Sequence, residues 1–381
     1  MRVIPVASGK GGVGKSLVSV NLSIALSQLG ERVLLADLDL GASNAHTILG
    51  IRTVSKGIGN FLSESRASLS DFIMKTDYDG LHFLPGEAEI PGLANLQFAQ
   101  KKRLMKSIFA LQDYDYIIMD LGAGTGLNTL DFFLCSDEGL IVSTPSLTAT
   151  LNAYLFLKNC IFRLMESSFP SKSEGKKFLS NLKKQGDDLQ KLYLPKLFSD
   201  LKEADPENFE AFQKRFNDFG PRLILNMIED PNDGVKAARI RVSCKEYLGI
   251  KLDHMGIIYR DHLQDVALNS RIPIIIYKPQ SVISVAIKRL CEKIQNSKAG
   301  SIHTIDEEEI NENFQLADIE AEQDFETRSE EIKDLLNSGV LSEGDLIETI
   351  RTQQYEIKSL KKENALLKNR LIKAVNQGFT F

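Results

Sequence analysis

Short apolar runs recur along the chain, and most of them are followed by serine, asparagine, proline or an acidic residue. Runs of this length, bounded by turn residues, are typical of strands that are buried on both faces of a sheet. They lie at 3–7, 32–36, 81–84, 116–119, 140–142, 222–225 and 256–258. Segments between them carry apolar residues at helical spacing, as at Leu17, Val20 and Ile24. The alternation predicts an α/β fold with a mostly parallel sheet and helices on both faces.

A glycine-rich loop at 9–16 joins the first strand to the first helix. Glycines allow the tight turn that points successive backbone N–H groups at phosphate oxygens, and the helix adds its positive N-terminal end. Lys15 supplies a charge for the β- and γ-phosphates, and the Ser16 hydroxyl is placed to ligate Mg²⁺. The sequence therefore predicts a P-loop that binds ATP and Mg²⁺. Its binding residues are predicted to be Gly11, Gly12, Val13, Gly14, Lys15, Ser16 and Leu17.

Carboxylates follow two of the predicted strands. Asp37 and Asp39 come directly after the second run, and Asp120 ends the run at 116–119. Ligands of open α/β sheets bind beyond the carboxyl ends of the strands, so we expect these groups to face the P-loop. Asp39 is predicted to polarise the attacking water and to join the Mg²⁺ shell, with Asp37 supporting its loop. Asp120 has the character of a Walker B acid that holds Mg²⁺.

Lys10 is a second cation in a loop that already has many N–H donors. One physical use for it is to reach the phosphates of a facing subunit, as an arginine finger does in trans. Residues 10–16 resemble the deviant Walker A motif of the MinD/ParA family, whose early lysine acts across a nucleotide-sandwich dimer. Segments 41–44 and 120–124 resemble the two switch segments of that family, most closely in its flagellar-placement branch, called FlhG or FleN. The resemblance implies catalytic roles for Lys10 and Asp39.

The resemblance also implies contacts to the base. Asn226 matches the adenine-contacting asparagine of the family, and a carboxamide can both donate to and accept from a base edge. Tyr259 stands where the family has a proline in its base-contacting turn. Its ring either stacks on the base or packs in the protein.

Composition limits the class of protein. The chain has 381 residues, 43% of them hydrophobic and 25% charged, with a net charge of -5. This composition is that of a globular protein and disfavours nucleic-acid binding by the molecule as a whole. The four cysteines lack C-x-x-C spacing, which argues against zinc and iron–sulfur sites. No apolar run approaches the roughly 20 residues that span a bilayer, so we expect a cytoplasmic protein.

The resemblance covers about residues 1–296, interrupted by an insertion at about 163–219. Phe209, Phe212, Phe216 and Phe219 lie on one face of a helix there. The stripe is predicted to pack the insertion onto the body, and a partner-docking surface is the alternative.

Two further segments follow the region of resemblance. Residues 297–340 are predicted to be an acidic, flexible linker. Residues 341–381 repeat apolar positions every seven residues around Asn364, which predicts a parallel coiled coil. The lysines of the same segment also suit a basic amphipathic helix on a membrane.

The predicted function is an ATP-dependent dimerisation switch with weak ATPase activity that regulates flagellar number or placement. The resemblance implies a homodimer in the ATP state, a protein activator or cargo, and peripheral association with the inner face of the membrane. Septum-site selection and plasmid or chromosome partition are alternatives within the family. An amidoligase or synthetase is an alternative of a different class on the same fold.

Overall fold

The predicted strands form one sheet in a computed structural model that describes residues 1–54, 56–86, 96–184, 193–297 and 307–337. Across these residues the strands are β1 Arg2–Ala7, β2 Val33–Leu38, β3 Met74–Lys75, β4 Leu81–Leu84, β5 Tyr116–Leu121, β6 Leu140–Ser143, β7 Arg222–Ile228 and β8 Asp253–Tyr259. Their order is β3-β4-β2-β5-β1-β6-β7-β8. All neighbouring pairs are parallel except β3 with β4. The mostly parallel sheet is therefore confirmed, and β3, too short to leave a pattern, was not predicted.

Helices follow most of the strands. They are α1 Lys15–Gln28, α2 Ala45–Ile48, α3 Ile58–Ser63, α4 Phe98–Phe109, α5 Leu127–Phe133, α6 Leu147–Ser168, α7 Glu174–Lys184, α8 Leu194–Ala204, α9 Pro206–Asp218, α10 Gly234–Ser243, α11 Leu263–Asn269, α12 Ile274–Tyr277, α13 Val282–Asn296 and α14 Glu307–Asn337. Short 3₁₀ turns lie at Leu69–Phe72 and Pro231–Asp233, and a π-helical turn lies at Cys244–Leu248.

The two faces of the sheet bury different cores. Along β5, Ile117 and Met119 belong to one apolar cluster, and Tyr116 and Ile118 belong to the other. Successive side chains of a strand point to opposite faces, so each face must be covered. Helix α6 covers the first face and α1 covers the second. This arrangement confirms the expectation of helices on both faces.

Helices α7, α8 and α9 form the insertion. The phenylalanine stripe of α9 points inward, with Phe212 only 1% exposed and Phe209 and Phe219 also buried. The Phe219 ring lies 6.2 Å from the ring of Phe133 in α5. The stripe therefore packs the insertion onto the body, and α6 continues unbroken past the predicted start of the insertion.

Helix α14 replaces part of the predicted flexible linker. Ile310, Phe314, Ala317 and Ala321 are buried at helical spacing. Acidic side chains beside this stripe meet cations of the body, as Glu320 does with Lys293 at 2.8 Å. The expectation of a tether is therefore wrong for residues 307–324, because the apolar stripe and the ion pairs offset the cost of ordering the segment.

The chain divides into two units, Met1–Asp324 and Phe325–Phe381. In the second unit the structure describes the helical residues up to Asn337. The predicted coiled coil at 341–381 lies outside the described residues.

Two further findings concern the cysteines and the helices. All four cysteines are free thiols, and Cys160, Cys244 and Cys291 are buried. No helix in the described ranges combines the length and the apolar composition needed to cross a membrane.

Candidate nucleotide-binding site

The P-loop lies at the centre of the sheet. Strand β1 runs parallel to β5 on one side and to β6 on the other, so the loops after all three strands meet at one edge. In parallel α/β sheets this edge holds a crevice where the strand order changes direction. The loop at 8–14 crosses that crevice and leads into α1.

Two glycines give the loop its shape. Gly12 and Gly14 have φ angles of 78° and 83°, in the left-handed region that side chains disfavour. Gly14 is also closely packed, because a Cβ there would lie 2.2 Å from Asn226 Nδ2. These positions therefore require glycine for the turn that directs N–H groups toward a phosphate.

Lys15 forms a buried ion pair with Asp120. The Lys15 ammonium donates to Asp120 Oδ1 at 2.7 Å, and the Ser19 hydroxyl donates to the same oxygen at 2.9 Å. Asp120 is fully buried, and its other oxygen, Oδ2, has no hydrogen-bond partner among the described residues. The pair joins the P-loop directly to β5.

The carboxylate of Asp120 fits a magnesium ion. A buried oxygen without a partner is costly unless a cation or a water occupies it. The Ser16 hydroxyl lies beside the same lysine, at 3.2 Å from Lys15 Nζ. Mg²⁺ takes one or two carboxylates together with hydroxyl, water and phosphate oxygens, and Asp120 and Ser16 offer a carboxylate and a hydroxyl.

Asp37 braces the turn after β2. It is fully buried and lies in register with Asp120. Its carboxylate accepts hydrogen bonds from the Ser43 hydroxyl at 2.7 Å and from the backbone N–H groups of Ala45 and Asp39. Burial, followed by the nearby charge of Asp120, raises the pKa of Asp37 to about 6. These bonds fix the chain segment that carries Asp39.

We call the space that the P-loop partly encloses the cradle. Asp39 lies beside it, close to the charges of Lys15 and Asp120. It is half-buried, and burial raises the pKa of its carboxyl, while Lys15 lowers it and Asp120 raises it. A Cβ at Gly122 would lie 3.4 Å from Asp39 Oδ1, so the loops after β2 and β5 touch. The structure thus brings Lys15, Ser16, Asp39 and Asp120 together, as the sequence predicts.

Lys10 lines the cavity beside the P-loop and does not share the buried position of Lys15. Its side chain is exposed, and its ammonium donates to the Thr148 hydroxyl at the start of α6, at 3.2 Å. Lys15 is turned inward by contrast. The two lysines of the loop therefore differ in exposure and in partner: Lys10 is exposed and bonds Thr148, whereas Lys15 is buried and pairs with Asp120.

Asn226 is placed on the P-loop itself. Its amide Nδ2 donates to the backbone carbonyl of Val13 at 2.8 Å, and the residue is only 3% exposed. The contact connects the end of β7 to the loop that holds phosphates. Contact between Asn226 and a base stays a prediction.

The structure does not support a contact between Tyr259 and the base. The ring is 1% exposed, and the hydroxyl donates to the carbonyl of Ala321 in α14 at 2.8 Å. Of the two expectations for this residue, packing is the one that the structure supports. The reason is that β8 turns this side chain toward α14, where it joins the apolar cluster that contains Ala317 and Ala321.

Sequence reasoning missed Met227, which lines the cavity beside the loop. Met227 has a φ of 58° and lies at a bulge of β7 between Asn226 and Ile228. A non-glycine residue in the left-handed region stores strain, and such residues cluster at functional sites. Met227 lines a cavity of about 410 Å³ together with Lys10, Gly12 and Arg260. No sequence pattern reveals a bulge. The only signal in the sequence that could have identified Met227 is its position next to Asn226.

Comparisons with known proteins agree with this geometry. A family model described as an AAA domain matches residues 1–163. The antiactivator FleN of Pseudomonas aeruginosa is 31% identical over 195 residues, which cover 49% of this chain and 69% of that protein. The flagellum site-determining protein YlxH of Helicobacter pylori is 36% identical over 164 residues, 41% of this chain and 53% of that protein.

A solved structure shares the fold. The septum site-determining protein MinD of Pyrococcus horikoshii, complexed with Mg-ADP, superposes with a TM-score of 0.52 at 22% identity. The superposition covers 77% of this chain and 96% of that one. The relatives that match across this region lead to one assignment: the chain belongs to the MinD/ParA family of P-loop ATPases, near its FlhG/FleN branch.

Proposed function

We propose that this protein is an ATP-dependent dimerisation switch that regulates flagellar number or placement. ATP bound with Mg²⁺ brings two copies face to face, and slow hydrolysis releases them. A protein partner reads the dimeric state. The name of the FleN relative, an antiactivator, and that of YlxH, a flagellum site-determining protein, support the process and the presence of a partner.

The position of Lys10 carries this proposal. The P-loop already offers Lys15 and the backbone N–H groups of a glycine turn to its own phosphates. The Lys10 ammonium is exposed at the cavity beside the loop and is hydrogen-bonded to Thr148. A preorganised cation at the rim can stabilise charge that develops on the phosphates of a facing subunit.

Each residue of the cradle has a separate role in the proposed mechanism. Lys15 exchanges Asp120 for the β- and γ-phosphates when nucleotide enters, so one buried ion pair replaces another. Asp120 and Ser16 then hold Mg²⁺, which neutralises phosphate charge when bound. Asp39 accepts a hydrogen bond from the attacking water and orients it toward the γ-phosphate. Departure of the γ-phosphate alters the contact between Asp39 and the Gly122 loop.

Mixed dimers test the proposal. The Lys10→Ala protein and the Asp39→Ala protein, each measured alone, should hydrolyse ATP about 100-fold or more slowly than the wild type. If Lys10 acts in trans, a heterodimer of the two has one site with both groups, and mixing restores part of the ATPase activity. A mixture of Asp39→Ala with the double variant Lys10→Ala/Lys15→Ala is the control that should stay inactive, because the one site that combines a working Asp39 with a working Lys10 then lacks Lys15.

Two results would contradict the proposal. Heterodimers that form without recovering activity would show that Lys10 does not act across the interface. A protein that stays monomeric with ATP, or releases phosphate only when a small acid and an amine are added, would favour a synthetase instead.

A further inference from the structure

Helix α4 presents an unusual outer face. Leu104 and Ile108 are fully buried and anchor the helix to the body. On the opposite side Phe98 is 75% exposed and Phe109 is 39% exposed. Lys102 and Lys106 lie between them and are also exposed. We call these four residues, Phe98, Lys102, Lys106 and Phe109, the outer face of α4.

All charged side chains of α4 are cationic. It carries Lys101, Lys102, Arg103 and Lys106 and has no carboxylate. Two of these cations have partners, because Lys101 pairs with Asp131 and Arg103 bonds the Glu64 carbonyl and lies over the Phe61 ring. Lys102 and Lys106 have no partner among the described residues, so the outer face is cationic as well as aromatic.

We propose that the outer face of α4 rests on an anionic lipid surface. Exposed phenylalanines next to lysines suit the boundary between headgroups and acyl chains, where the ring is buried and the ammonium stays with the phosphates. The face is also convex, since it is the outside of a single helix. A fluid bilayer adapts to a convex face, whereas a folded protein partner needs a matching groove.

The proposed contact is connected to the nucleotide site. Lys101 of α4 pairs with Asp131 and also donates to Asn128 at 3.3 Å, and both acceptors belong to α5. Helix α5 directly follows the loop 122–126, which touches Asp39. A change in that loop therefore reaches α4 through one ion pair. The lipid contact itself is independent of the proposed dimerisation and of residues 341–381.

Vesicle binding of the full chain tests the inference. The probe is sedimentation with vesicles of phosphatidylcholine containing phosphatidylglycerol, at low and high salt. Each lysine near an anionic surface strengthens binding about 5-fold, so Lys102→Gln/Lys106→Gln should weaken it about 25-fold. Phe98→Ser should weaken it further without lowering the melting temperature, because the ring is exposed. The matched control is Lys196→Gln/Lys214→Gln, which neutralises two exposed lysines of the insertion.

Each outcome decides the inference. A selective loss in the α4 variants that grows with the fraction of anionic lipid supports it. Equal binding of the two double variants would show that another segment holds the lipid and would overturn it. No binding of the wild type to anionic vesicles would overturn it as well, and would leave the outer face to an acidic protein.

Discussion

Lys15 Nζ lies 2.7 Å from Asp120 Oδ1, and the two groups form an ion pair with side chains 7% and 0% exposed. The pair joins residues that are 105 positions apart in the chain and holds the P-loop against β5. The charge of Lys15 is therefore neutralised within the protein in the absence of nucleotide. In the function proposed above, a phosphate would take the place of Asp120 as its partner, so the buried charge would be compensated in both states.

Because Lys15 and Asp120 form a buried ion pair, we expect substitutions of the two residues to have non-additive effects on the free energy of unfolding. Removing one partner of a buried pair leaves an uncompensated charge and typically costs about 3–5 kcal/mol. We expect Lys15→Met and Asp120→Asn each to lower the free energy of unfolding by about that amount. The double variant should lose much less than the sum. Urea unfolding without nucleotide measures this cycle, and simple additivity would show that the pair does not form.

Asp37 predicts a dependence of stability on pH. Its pKa is raised to about 6 from 3.8, so between these values the folded protein binds a proton that the unfolded chain has released. The free energy of unfolding should therefore fall as pH rises from about 4 to about 6, because proton binding favours the folded state.

The variant Asp37→Asn isolates that effect. Asparagine cannot ionise, so the part of the pH slope due to Asp37 should vanish, although the variant is less stable overall. Denaturant unfolding at several pH values, without nucleotide and Mg²⁺, gives the two slopes. Identical slopes in both proteins would place the pKa of Asp37 near its ordinary value.

Gly14 predicts a steric requirement in the P-loop. Gly14→Ala forces a Cβ to 2.2 Å from the amide of Asn226 and holds alanine at a φ of 83°. We expect the melting temperature to fall by several degrees and nucleotide binding to weaken, since the bond from Asn226 to Val13 must yield. Gly11→Ala is the control, because a Cβ at Gly11 meets nothing within 4 Å. Equal melting temperatures for the two variants would contradict the packing seen at Gly14.

Substitution of Tyr259 should change the stability of the protein but not its affinity for ADP. Tyr259→Phe removes the hydrogen bond to the Ala321 carbonyl and should lower the free energy of unfolding by about 1 kcal/mol. The dissociation constant for ADP, measured by calorimetry, should stay within 2-fold of the wild type, roughly the precision expected for an uninvolved site. A much weaker affinity for ADP would return Tyr259 to the base-binding residues.

The sequence by itself determined the elements that depend on local patterns. Apolar runs predicted the strands, and glycine spacing predicted the loop between β1 and α1. Because parallel strands end at one edge, the order of strand and carboxylate along the chain also placed Asp39 and Asp120 at the cradle. These inferences need only neighbours in sequence and the geometry of a parallel sheet.

The tertiary structure decided what depends on distant partners. Helix α14 is rich in acidic residues, and its contacts form only after the chain has folded back, as when Phe314 stacks on His254 of β8 and Glu320 pairs with Lys293 of α13. The direction of Tyr259 depended on which face of β8 that helix covers. The strained Met227 follows from a bulge that has no periodic signal. The pairing of Lys15 with Asp120, and of Lys10 with Thr148, could not be read from spacing, because long-range contacts select one rotamer of a flexible lysine among many.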